Sequence, residues 1–117
     1  MSNINTIRIF DIVGGLCVSS DDGQLVHDKI AELLRKKYKV IISFKDVDTL
    51  ISAFLNAAIG QLYDEFSEED IREYLSVENM NPEDMALLKR VIDNAKIYFK
   101  NRKQFDEAWK IEVNDEE

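Results

Sequence analysis

Tyr38-Lys39-Val40-Ile41-Ile42-Ser43-Phe44, the loop Lys45-Asp46-Val47-Asp48-Thr49-Leu50, and the run that starts Ile51-Ser52-Ala53-Phe54-Leu55-Asn56 decide the fold between them. The first segment is a near-continuous apolar run, which suits a central strand covered on both faces. From Ile51 the apolar residues Phe54, Leu55, Ala58, Ile59, Leu62, Tyr63 and Phe66 recur at 3, 4, 7, 8, 11, 12 and 15 steps. That is the cleanest helical stripe in the chain, and it predicts a helix of about 16 residues and about 24 Å. Fully burying eight such side chains contributes on the order of 10 kcal/mol before ordering entropy is subtracted. The expectation is that this helix lies on the sheet.

Upstream, Val26, Ile30, Leu33 and Leu34 share one stripe between Gln24 and Lys37, with Ser20 or Asp21 as cap. A helix of this length between strands suits a crossover connection. Further upstream, Thr6–Val13 is β-branched and apolar, and Gly14-Gly15 separates it from Leu16-Cys17-Val18. Two glycines between apolar runs predict a β-hairpin, because a type I′ turn needs positive φ at both central residues. Downstream, Ser67-Glu68-Glu69-Asp70 reads as a capping box for a short helix through Tyr74. Leu75–Met80 alternates with period two and reads as a strand. Asn81-Pro82-Glu83-Asp84 opens another helix, with Met85, Leu88, Ile92, Ala95 and Phe99 as its buried stripe. Arg102–Lys110 either extends it or forms a final short helix, with Phe105 and Trp109 closing the core edge or anchoring a partner. Strands alternating with helices predict an α/β fold with a mixed, mostly parallel sheet of about four strands packed against helices. The expected organisation is a single domain over 1–113 and a frayed acidic tail over 114–117.

Composition narrows the function classes. The 117 residues carry 15 basic against 23 acidic side chains, a net charge of −8. Such a chain repels phosphate backbones, so no nucleic-acid partner is expected. The densest basic run, Arg35-Lys36-Lys37, falls where a helix should end and where cations suit its dipole. No apolar run approaches the roughly 20 residues of a membrane span. Met1–Asn5 has no basic segment followed by an apolar one, so the expected compartment is the cytoplasm. With one cysteine, Cys17, no internal disulfide forms.

Few residues suggest bond chemistry. Asp21, Asp22, Asp46 and Asp48 sit in loops beside element ends, where carboxylates can hold Mg²⁺ for a phosphoacceptor reaction, or simply face solvent in turns. His27 is the only histidine and lies one step off its helical stripe, so it reads as structural. Cys17 reads as a small buried hydrophobe. Cys and His lack metal-ligand spacing, and Gly14-Gly15 is too short for a nucleotide loop. Neither a metal nor a cofactor is expected.

The stretch Val40–Asn56, with Asp22-Gly23 opening the first helix and Val77-Glu78-Asn79-Met80 as a later strand, resembles the strand–loop–helix centre of STAS domains (sulfate transporter and anti-sigma factor antagonist). It is most similar to the bacterial STAS-like family of unknown function. The resemblance implies partner switching: a non-enzymatic module docks on a histidine-kinase-like ATPase and is released when a serine at the start of the second helix is phosphorylated. That position falls on Ser52. The antagonists' Asp-Ser-Ser-Gly is replaced here by Ile51-Ser52-Ala53-Phe54, without the acid and the glycine. The resemblance implies a docking surface of Asp22, Gly23, Asp46, Asp48, Thr49, Ser52, Ala53 and Asn56. A phosphate on Ser52 would add −1.5 to −2 charges beside Asp46 and Asp48. The bland alternative is that Ser52 or Thr49 only caps the helix. Rival functions are the Mg²⁺-dependent phosphoacceptor and a constitutive assembly subunit; a second copy of the chain is also open as partner.

Overall fold

A computed structural model describes residues 4–115, with side chains described for residues 4–101. Its main sheet has the order β1 (Ile4–Arg8), β3 (Lys39–Ser43), β5 (Leu75–Glu78), and both pairings are parallel. Ile4 stands opposite Lys39 and Arg8 opposite Ser43, while Val40 faces Leu75 and Ser43 faces Glu78. The deciding strand is therefore central, as its apolar run predicts. Val40 and Ile42 are fully buried, whereas Ile41 is only half-buried, so one face is covered more completely than the other. The α/β class with a mostly parallel sheet against helices stands. Its strands divide into this three-stranded sheet and a two-stranded ribbon, β2 (Leu16–Cys17) with β4 (Thr49–Leu50), also parallel.

The hairpin expected at Gly14-Gly15 is not formed. Ile9–Val13 is a short helix, α1, which buries Ile9 completely and turns Ile12 and Val13 toward the core. Gly14 ends it with φ +83°, and its N–H donates to the Phe10 carbonyl at 2.9 Å. Gly15 then passes so close to the loop after β3 that a Cβ there would lie 3.2 Å from the Asp46 carbonyl oxygen. The pair thus serves a helix end and a close crossing, and neither glycine is left to form a two-residue turn. β-Branched Ile9, Ile12 and Val13 are helical because packing overrides their weak strand preference.

Helix α2 (Ser20–Arg35) is capped by Ser19, not by Ser20 or Asp21 as expected; its Oγ accepts from the N–H groups of Asp21 (3.1 Å) and Asp22 (3.3 Å). Asp21 and Asp22 lie in the first turn, where negative charge is favoured. Val26, Ile30 and Leu34 are buried, as the stripe predicts. At the other end Lys37 adopts φ 59° and Arg35 makes a two-pronged pair with Glu65, with Nη2–Oε1 at 2.8 Å. The basic run is a helix terminus, not a binding patch.

The long helix predicted from Ile51 buries the expected residues but is not a uniform α-helix. It comprises α3 (Ser52–Leu55), a π-helical segment (Asn56–Gly60) and α4 (Leu62–Glu65). Phe54, Leu55, Ala58, Ile59 and Leu62 are buried, Tyr63 and Phe66 half-buried, and Ile51 is exposed. Four consecutive residues, Ala57-Ala58-Ile59-Gly60, are buried, more than one face of an α-helix supplies. They are enclosed between two helices, with Gly23 of α2 on one side and Val91 and Ala95 on the other. The wider π turn brings one more residue per turn into this enclosure.

Ser67 caps α5 (Glu68–Tyr74) by accepting from Asp70 N–H at 3.1 Å. Asn81 Oδ1 accepts from Asp84 N–H at 2.8 Å and opens α6 (Pro82–Asp115), so Arg102–Lys110 extend this helix. Leu88, Val91 and Ala95 are its buried stripe; Ile92 and Phe99 are half-buried, and Met85, expected inside, is exposed. The helix has 34 residues, roughly 51 Å at 1.5 Å per residue. The radius of gyration is 16.1 Å, against about 13 Å for a compact chain of this length. The side chains of Phe105 and Trp109, and of the whole tail 114–117, lie outside the described side chains.

Candidate functional site

The loop after β3 is built by backbone rather than by side chains. Asp46 turns it with φ 67°. The Asp48 and Thr49 N–H groups both donate to the Gly15 carbonyl, at 2.9 and 3.1 Å, and Ile51 N–H donates to the Cys17 carbonyl at 3.1 Å. Asp46 also lies 4.0 Å from the Arg8 guanidinium, which sits 3.6 Å from Asp11. These contacts fix the approach to α3, whose cap residue, Ile51, has no side-chain oxygen to offer. Neither Ser52 nor Thr49 caps the helix, so the capping alternative does not hold.

Asp46, Asp48, Thr49, Ser52, Ala53 and Asn56 are all exposed. Burial of Cys17 and, second, the charge of nearby half-buried Asp22 push the thiol up to about 11. Cys17 is buried, as read from the sequence, though in a ribbon rather than a hairpin. Gly23 departs from the surface assignment. It is buried, and a Cβ there would lie 2.6 Å from the Phe54 carbonyl oxygen and 2.8 Å from Ala57 Cβ. Gly23 can position the start of the long helix but cannot face a partner. Asn56 lies toward α6, beside a shallow cavity of about 300 Å³ shared with Gly60, Asn94 and Tyr98, and so stands apart from the loop residues.

Sequence reasoning missed the apolar part of this surface. Leu16, Val18 and Ile51 are 60%, 47% and 38% exposed. The ribbon register pairs Leu16 with Thr49, and the Ile51 bond to Cys17 continues it, so these side chains border one another on its outer side. Phe10, also exposed, approaches at Gly15. The alternation Leu16-Cys17-Val18, with only Cys17 buried, carried this information, but only once β2 is known to pair with β4.

Among the described residues no group of three or more His, Cys, Asp or Glu is placed to hold a metal ion. His27 is half-buried, with its Nδ1 buried and without a hydrogen-bond partner. No described helix is long and apolar enough to cross a membrane.

A parallel sheet covered by helices, with a backbone-tied loop leading into an exposed helix start, defines an α/β module of STAS-like type. The chain belongs to the family described as STAS-like domain of unknown function (DUF4325), whose model matches residues 22–85, from the first turn of α2 to the first turn of α6. Neither curated proteins nor solved structures give a match.

Proposed function

We propose that this protein is a non-enzymatic regulatory module that docks on a histidine-kinase-like ATPase through the ribbon and the start of α3, and that phosphorylation of Ser52 releases it. The observation that carries the reading is the exposure of Leu16, Val18 and Ile51 at the ribbon, with exposed Ser52 following Ile51 in the chain. Exposed apolar side chains gathered on one face and rimmed by Asp46 and Asp48 have the composition of a docking surface, with an apolar centre and a polar edge. A phosphate on Ser52 would put −1.5 to −2 charges directly beside that centre. Docking would then have to desolvate the phosphate, so the partner leaves while the domain keeps its fold.

The test is calorimetric titration of a histidine-kinase-like ATPase from the same organism with the wild type, Ser52→Asp and Val18→Ser. Binding by the wild type that falls at least about ten-fold in both variants supports the reading, since a charge set against a desolvated interface costs several kcal/mol. Unchanged binding by Ser52→Asp leaves a constitutive assembly subunit instead.

A further inference from the structure

We propose that two copies of the chain join edge to edge along β5, antiparallel, so that their main sheets run on as one. β5 closes one side of that sheet and has a neighbour only in β3. Phe44 N–H donates to the Glu78 carbonyl at 3.1 Å, in the register that pairs Ser43 with Glu78. Along a strand, successive residues turn their backbone groups to opposite sides. Glu78 and Ser76 therefore bond to β3, and Leu75 and Val77 turn theirs outward. The Leu75 N–H is taken by the Ile71 carbonyl at the end of α5. The Leu75 carbonyl and both groups of Val77 have no hydrogen-bond partner among the described residues. Such an edge is a template for another strand.

The side chains call for the same occupant. Leu75 and Val77 are half-buried, on the face where the register sets them beside buried Val40 and Ile42. They border a hollow of about 330 Å³ with Ile71, Leu88, Ile92 and Met85, and Met85 is 47% exposed. A strand added beside β5 lays its alternate side chains over this hollow. β5 itself has that alternation, with Leu75 and Val77 on the apolar face and exposed Ser76 and Glu78 on the other. With Val77 opposite Val77 across a two-fold axis, the N–H of each donates to the carbonyl of the other, so both free groups are met. Ser76 then stands opposite the partner's Glu78, and no like charges face each other along the strands. Charge sets the direction. The chain enters β5 from α5, whose last turn carries Arg72 with its side chain 72% exposed. It leaves β5 for α6, whose first turn carries Glu83 and Asp84. Antiparallel pairing brings the entry end of one copy to the exit end of the other, base toward acids. Parallel pairing would bring Arg72 to Arg72 and acids to acids. The two-fold pairing is closed, so it stops at a dimer. None of these residues belongs to the ribbon or to α3, so the proposal does not rest on the reading given to Ser52.

Sedimentation equilibrium of the full chain at micromolar concentration is expected to give twice the 13.6 kDa chain mass at low salt, and a weaker dimer at high salt. Hydrogen exchange read by NMR should find the Val77 N–H protected, with protection that falls on dilution. Val77→Pro removes that outward N–H, at a place where a sheet edge accepts proline, and should leave a folded monomer. Arg72→Glu is expected to raise the dissociation constant about ten-fold at low salt. A monomer at every concentration, a dimer in which the Val77 N–H exchanges as fast as in the dilute chain, or a dimer left as tight by Arg72→Glu would overturn the proposal. The exchange measurement uses the unaltered chain, so it decides even where Val77→Pro does not fold.

Discussion

The helix that begins at Ser52 has two apolar surroundings, and they end in opposite ways. At its middle, Ala57 and Ala58 meet Gly23 so closely that a single added carbon has no room. At its start, Ile51 stands with Leu16 and Val18 in the open. The larger and more apolar side chains are the uncovered ones; what differs is whether the chain supplies a cover. Where it does, small residues and a widened turn allow backbones to approach. Where it does not, large side chains project from a ribbon held by main-chain bonds. Apolarity alone therefore does not mark a core: closure by another element of the chain does.

Mutations can break this contrast or sharpen it. The largest effect is expected from Leu62→Ala, which empties a fully buried site in the covered region and should cost about 2–5 kcal/mol in urea denaturation. Gly23→Ala should follow, at about 1–3 kcal/mol, because the new methyl meets backbone at 2.6 Å. The gain in helix propensity, below about 1 kcal/mol, offsets only part of that. A neutral or stabilising Gly23→Ala would show that the two helices separate cheaply and would erase the contrast. The smallest effect is expected from Val18→Ser in the open region, within about 0.5 kcal/mol of the wild type in the same denaturation. A loss of 2 kcal/mol or more there (roughly the scale of a buried side chain) would mean that the ribbon is structural core.

What the sequence makes legible follows from how far each determinant reaches. Most helix-stripe positions, the caps at Ser67 and Asn81 and the central strand are local patterns, and they appear where expected, Ile51 and Met85 excepted. Gly14-Gly15 is also local, yet it has more than one use, and only the crossing of the Lys45–Leu50 loop tells a helix end from a hairpin. Val91 replaces Met85 in the core because the π segment, not the helix's own pattern, sets which face is covered. Of the candidate site, exposed Ser52 and the loop acids could be read from their position before a helix. The apolar patch could not, because it exists only through the pairing of two segments far apart in sequence. Gly23 was misplaced for a related reason: a glycine at a helix start reads equally as an opening to solvent or as a contact point.

The three main-chain bonds that tie Asp48, Thr49 and Ile51 to Gly15 and Cys17 have a thermodynamic consequence. A recognition loop usually gives up conformational freedom when it is bound, and that loss is deducted from affinity. Here the freedom was surrendered during folding. A partner docking there, as proposed, would meet a surface fixed in advance, so that modest contact area could suffice for tight association.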